Sequence, residues 1–565
     1  MKPVKNTKQQ KNANYYLQKL GGACRSKIAL TVLSFLGIIG VFSVIAYYIL
    51  FPAEGYLHSD CTDTILWAQA SYDSGKLVYD GFQYAAVLPF GGNLLMLIFM
   101  PFFGYSMTTH NLGMLLFLVL FILAAVWFCR SLGYGYGSSF LLTAILTFVL
   151  SSSDKLREIM WGHIIYYSLG VLFFLFGIGL AARLVERREK LALEGKDTLK
   201  AVFTDRKSLT FIIILFVFAL CTATNGLQSL ITFTLPLAAA LVLERIFDEK
   251  KDGFLSRVLH SSLLLSGVAV FTLAGLYIRK LLMEGVNCYY ADAYSSYSDI
   301  GDWLDNLLLF PEHYFSLLGV AVKRYDPIAN VESVLTMIRI FGGIAVLVLP
   351  LYLLFSYRKI EKRSVKMLVI AHFTLCAMIM YAYVFGMLAT ANWRLVPLLA
   401  SSVITSVIAL CELWRNGREV GKRVAALCLA LLLAFSSVSA VTIAKMPKTY
   451  GGLNNLHALA AILEAYKLDE GYATFWNSQA ITLLSDNKVK VRNIEVYSSG
   501  PKEAFYQGQF DWYKSEGMED GCFLLVSANE EQTIYSYLQG KGSDYVKKID
   551  LSGYTIYIYE RNIFD

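Results

Sequence analysis

The chain is poor in charge. Only 16% of its 565 residues are Asp, Glu, Lys or Arg, whereas a soluble globular domain carries roughly 25%. With 56% hydrophobic residues and a mean hydropathy of +0.50, that deficit argues against an ordinary soluble protein. Other absences exclude particular chemistries. The nine cysteines include no C-x-x-C pair, so zinc-ribbon and thioredoxin-type sites have no support. The formal net charge of +7 comes from short clusters between apolar runs, without an aromatic-basic stripe, so nucleic acid is not an expected partner.

What is present is a series of apolar runs from Ile28 to Ala444, several near the roughly 20 residues needed to span hydrocarbon. The runs predict spans at 28–51, 111–129, 138–150, 164–182, 209–223, 227–243, 258–278, 334–356, 367–387, 395–414 and 424–444. The stretch Val87–Phe103, broken by Pro89, Gly91, Gly92 and Pro101, reads instead as a helix lying in or dipping into the outer leaflet. Met1–Lys27 holds seven Lys/Arg and no Asp or Glu and reads as a cytoplasmic tail before a retained first span. In this register the basic segments 183–207, 245–257, 358–366 and 415–423 also lie inside, as the positive-inside rule requires. Cys129, Cys221, Cys376, Cys411 and Cys428 fall within apolar runs and read as small buried hydrophobes. A disulfide between Cys61 and Cys288, both outside the runs, is left open by their spacing.

The expected fold is therefore a polytopic α-helical membrane protein of about eleven spans with a small C-terminal α/β extracytoplasmic domain. Its parts are the tail 1–27, a membrane domain 28–444 with outer loops 52–110 and 283–333, and the outer domain 445–565. In that last part, periodicity predicts helices over 453–468, 477–485, 503–514 and 530–540. Strands are predicted over 471–476, 488–496 and 522–527, with a hairpin of 545–551 and 554–559 around Ser552-Gly553. Neither a dinucleotide nor a P-loop phosphate motif occurs there.

Chemistry-bearing residues concentrate just beyond the first span, in His58-Ser59-Asp60-Cys61-Thr62-Asp63. A carboxylate there can act as general base towards a hydroxyl. The competing role is a structural one, with Asp60 or Asp63 capping the following helix. Cations on the outer side run against the positive-inside trend: Arg394, the pair Arg279-Lys280, and Lys323-Arg324. An arginine fork suits phosphate, and snorkelling to lipid headgroups is the competing role. Arg339, near a span start, is a further candidate. Glu158 or Asp154 can supply a second acid, with His163 following; a histidine at a span end is more often interfacial, and His58 and His110 are treated alike. Asp60, Asp63, Glu158 and His163 are a donor set that a divalent cation would accept. Tyr289, Tyr290, Tyr294 and Trp303 offer faces for a sugar or prenyl chain, or an interfacial aromatic belt.

The layout resembles the GT-C glycosyltransferases, including the lipid-A aminoarabinose transferases and protein O-mannosyltransferases. The residues that carry the resemblance are Asp60 in its motif, Ala68, Gly75, Pro89 and the Phe102-Phe103-Gly104 turn. Asn392-Trp393-Arg394-Leu395-Val396-Pro397 and Gly471-Tyr472-Ala473-Thr474-Phe475-Trp476-Asn477 add to it. Where that family often has adjacent acids or Asp-x-Asp, this chain has two residues between Asp60 and Asp63. The resemblance implies an inverting sugar transfer from a polyprenyl-phosphate donor to an envelope glycan, lipid or protein at the outer face of the membrane; the compact loops and the basic N-terminus without transit-peptide character point to a bacterial plasma membrane. The resemblance also implies Asp60 as base. The rival class is a multi-spanning transporter or flippase, which the lack of an internal repeat and of paired broken spans opposes. A polysaccharide polymerase or ligase would also be multi-spanning, but usually carries its functional loop late in the chain. A non-catalytic envelope scaffold is compatible with the same spans.

Overall fold

The computed structural model describes residues 7–195, 199–247, 254–290, 296–513 and 521–564. Some segments named above fall outside these: the first residues of the basic tail, part of the basic segments at 196–198 and 248–253, the stretch 291–295 with Tyr294, and Lys514.

Ten helices among the described residues are long and apolar enough to cross a membrane. They are Ile28–Leu50, Met107–Ser131, Tyr166–Leu193, Arg206–Ala223, Leu227–Glu244, Val258–Leu282, Val331–Phe355, Arg363–Val384, Asn392–Asn416 and Glu419–Ala444. An eleventh crossing is broken. Tyr136–Val149 and Asp154–Gly162 meet at 117°. Ser151-Ser152-Ser153 makes the break: the Ser153 hydroxyl caps Leu156 N–H at 3.1 Å, and the Ser151 carbonyl accepts from Arg157 at 3.0 Å. The chain is a polytopic membrane protein, and each apolar run of the sequence maps onto one of these helices.

The bundle is centred on Asn392–Asn416, whose apolar stretch is 94% buried, against 17% for Ile28–Leu50. Small hydroxyl residues permit this. Ser401, Thr405 and Ser406 bond to Leu398 O, Ser401 O and Val346 O, so these hydroxyls are satisfied while the helices approach closely. At one end of the bundle the basic segments meet: Arg363 grips Glu244 through two bonds of 2.7 Å, Arg187 pairs with Asp205 at 2.6 Å, and Lys362 caps Gly133 O at 3.1 Å.

The opposite end carries the folded module. Its six-stranded sheet has the order β5-β4-β3-β7-β9-β8. The strands are β3 (Glu470–Thr474), β4 (Lys490–Tyr497), β5 (Gly500–Glu503), β7 (Cys522–Ser527), β8 (Lys547–Leu551) and β9 (Tyr554–Tyr559). β3 is parallel to both neighbours, and the β8–β9 hairpin turns at Gly553, where φ is +82°. A second sheet ties the sequence-distant loops together: β2 (Asn287–Cys288), β1 (Phe82–Tyr84) and β6 (Gly508–Gln509), in that order.

Three expectations change, and one possibility left open is closed. The predicted helix over 503–514 is absent among the described residues; β5 ends there and β6 follows. Here the rings of Phe510 and Tyr513 both pack on that of Phe505, at 5.0 and 5.3 Å. The loop 283–333 contains a 15-residue helix, Trp303–Leu317, kept in one piece despite Pro311. Val87–Phe103 forms two short helices, Asn93–Leu97 and Met100–Phe103, rather than one. Cys61 and Cys288 are both free, so they do not pair.

Candidate active site

The first span ends at Leu50, and a 3-10 turn over Ser59–Thr62 leads into the helix Asp63–Ser74. The Thr62 hydroxyl closes that turn on Ser59 O at 2.7 Å. Residues three apart eclipse in such a turn, so Asp60 and Asp63 come side by side despite the two residues between them. Neither caps the helix: its N-cap is Thr62, and no side-chain cap bond forms.

The two carboxyls differ in surroundings. Asp63 is only 8% exposed, and one carboxylate oxygen has no hydrogen-bond partner. Burial, then the Asp60 charge, pushes it up to about 7. Asp60 is half-buried. Burial raises its pKa and Glu158 adds to that, while His58 and Lys155 oppose.

Glu158 comes from the short arm that follows the break, on the module side of the bundle. Its carboxylate accepts from Lys155 Nζ at 2.6 and 2.8 Å and lies 3.4 Å from His58 Nε2 and 4.0 Å from His163 Nε2. Burial would raise it, but His58, His163 and Lys155 outweigh burial and hold it near about 2. His163 is buried, and burial pushes it down to about 4, so its ring is neutral. His58 moves the other way: burial works against its cation, yet Cys61 and Glu158 raise its pKa. The structure thus joins Asp60, Asp63, Glu158 and His163 in one region. Among the described residues, however, no three His, Cys, Asp or Glu side chains are grouped so as to hold a metal ion.

The cations divide. Lys155 Nζ also lies 4.6 Å from the centre of the Trp393 ring, which brings Asn392–Pro397 beside the acidic turn. Arg394 is buried, donates to Met387 O, and shares a hydrogen bond with Tyr167. Arg279 donates to Val87 O at 2.7 Å and Thr224 O at 3.0 Å. Gly226, at φ +81°, makes room for it: a Cβ there would sit 2.9 Å from Arg279 Nε. Lys280 is exposed beside it. Lys323 and Arg324 lie in an exposed turn, the guanidinium over Tyr325, and do not join the acidic turn. Asp154 pairs with Arg157, and Arg339 donates to Gly319 O at 3.0 Å. His110 is buried at the start of Met107–Ser131.

A cavity of about 1030 Å³ opens among the spans, its walls including Ile231, Leu354, Phe373 and Met378, with Arg279 and Tyr290 at the module end. Neither Asp60 nor Arg394 lines this cavity. Arg394 reaches it through Tyr167 and its neighbour Tyr166, which lines the cavity. The acidic turn reaches it through Tyr506 of the module, whose ring lies 5.9 Å from that of Tyr290 and which senses both Asp60 and Asp63. Trp476 stands 6.1 Å from His58, and Ala480 N–H bonds Ser59 Oγ at 3.4 Å. The sequence marked Phe475-Trp476 within a recurrent segment, but no local signal marked Tyr506, which arrives by the pairing of β6 with β1.

Fold and site together define a class by architecture: a multi-spanning bundle with a folded C-terminal module seated over an acidic turn that follows the first span. No protein-family model and no curated protein matches the chain. Among solved structures it is similar to ArnT from Cupriavidus metallidurans bound to undecaprenyl phosphate, with 12% identity over 94% of this chain and 97% of that one, at a TM-score of 0.51. The Archaeoglobus fulgidus oligosaccharyltransferase matches more loosely, with 10% identity over 89% of this chain and 70% of that one, at 0.48. At 12% identity the likeness to ArnT is one of fold.

Proposed function

We propose that the chain is a membrane glycosyltransferase that moves a sugar from a polyprenyl-phosphate donor to a hydroxyl of an envelope glycan, lipid or protein. The observation that carries this reading is the cavity. It is apolar along the spans and ends at a guanidinium, Arg279, next to a turn with two carboxyls, a form that fits a long lipid with an anionic head and a reacting group beyond it. ArnT, solved with undecaprenyl phosphate, has the same fold.

In this reading Asp60 takes the proton of the acceptor hydroxyl as its oxygen attacks the anomeric carbon. The carbon–oxygen bond to phosphate breaks, its electron pair stays on the phosphate, and the configuration inverts. Arg279 stabilises the leaving phosphate, with Arg394 behind it, because fixed cations act where charge develops. Asp63, more deeply buried, holds the turn. In this reading the basic end lies in the cytoplasm with the N-terminus, as the positive-inside rule favours, and the module on the outer face of a bacterial plasma membrane.

The experiment is Asp60→Asn in the purified protein. Transfer from an undecaprenyl-phosphate-linked sugar should fall at least about 100-fold, with binding of the carrier unchanged. Transfer at the wild-type rate would remove Asp60 as the base.

A further inference from the structure

The C-terminal module contributes more than a cover. β6 pairs antiparallel with β1, and Phe510 N–H bonds Gly81 O at 2.9 Å. This pairing carries the dipeptide Tyr506-Gln507 to the acidic turn. Tyr506 contacts the rings of Tyr289 at 5.0 Å, Tyr290 at 5.9 Å and Phe475 at 4.8 Å. Its main-chain carbonyl is held by Asn493 Nδ2 at 2.6 Å.

Gln507 is the unusual member. It is only 2% exposed, and its φ is +52°, a region that few non-glycine residues enter. Strain of this kind persists where the surroundings enforce it, often at functional sites. Its Nε2 lies 3.5 Å from the Tyr506 hydroxyl, and its Oε1 is buried with no hydrogen-bond partner. Asp63 has an orphaned carboxylate oxygen in the same region. A buried acceptor without a donor costs about 1–3 kcal/mol, so Gln507 Oε1 beside an aromatic wall fits a ligand that brings a donor: a hydroxyl- or amine-bearing ring.

We propose that Tyr506 and Gln507 form a recognition lip for the sugar of the lipid-linked donor, with the Tyr506 ring against a sugar face and Gln507 Oε1 accepting from a sugar hydroxyl or amine. This rests on the glycosyltransferase reading above. The donor is favoured over the acceptor because Tyr506 adjoins Tyr290, which lines the carrier cavity beside Arg279. Tyr506 is also within electrostatic reach of Asp60 and Asp63. Both residues position the substrate and take no part in proton transfer.

The test compares two probes on the full chain in detergent: undecaprenyl phosphate alone, and undecaprenyl phosphate carrying a neutral hexose or an amino sugar. Gln507→Leu and Tyr506→Leu should weaken the sugar-bearing lipid about tenfold, the effect of roughly one hydrogen bond, and leave the bare lipid unchanged. Tyr506→Phe, which keeps the ring, should retain most of the affinity. Wild-type affinity of the Leu variants for the sugar lipid would overturn the lip, as would equal weakening of both lipids, the mark of a structural role. Normal donor affinity with slowed transfer would overturn the donor assignment in favour of acceptor hydroxyls. Wild-type protein that binds neither lipid would overturn the glycosyltransferase reading, and this inference with it.

Discussion

Asp60 and Asp63 share a turn and burial raises both, yet their pH signatures separate, one in activity and the other in stability. A general base works ionised, so transfer should fail as pH drops through the Asp60 pKa, which lies above the ordinary 3.8. The acid limb of kcat/KM should therefore sit above that of a free aspartate, and a limb at or below 4 would contradict it. Asp63 acts on stability. Its folded-state pKa of about 7 exceeds the unfolded 3.8, so the folded state holds the extra proton. The stabilisation is complete below about 4 and lost as pH rises through about 7, a loss on the order of 4 kcal/mol. Asp63→Asn should flatten the fall of Tm between roughly pH 4 and pH 7; an unchanged slope would contradict the assignment. Asp60, Asp63 and Glu158 were legible because a charged residue beside an apolar run is conspicuous. Arg279 was legible only as one of several cations. What distinguishes it from Lys280 is the pocket that Gly226 leaves open, which no residue count reveals.

At the scale of elements, local signals translated well and long-range ones did not. The apolar runs became helices, and Ser552-Gly553 turned the hairpin of β8 and β9, since both features are encoded within a few residues. The segment 503–514 reads as a helix only until β4 and β1 take up its backbone groups, a contact that its own residues do not announce. The broken crossing depends on close packing behind the acidic turn. A Cβ on Gly92 would lie 2.4 Å from Ile164 Cβ and 2.8 Å from Thr64 Cγ2. Gly92→Val should therefore cost about 1–3 kcal/mol and lower the melting temperature. An unchanged melting temperature would show that the short helix Asn93–Leu97 is free to move away.

For the whole molecule, the account joins a basic end, an apolar cavity and a folded module in one direction across the membrane. Orientation is read from Lys/Arg placement, so it can be checked without any substrate. A cysteine at exposed Asn529 (Asn529→Cys) should react with an impermeant maleimide in intact cells, and one at exposed Lys359 (Lys359→Cys) should react only after lysis; the reverse pattern would invert the molecule. The central claim is that the cavity holds a polyprenyl phosphate. The most direct measurement is photocrosslinking with a benzophenone-bearing polyprenyl phosphate, followed by peptide mapping. The account predicts labels on the cavity walls, in Leu227–Glu244 and Arg363–Val384, that excess undecaprenyl phosphate abolishes. Labels confined to outward-facing positions such as Val270 and Leu273, and unaffected by the competitor, would contradict it.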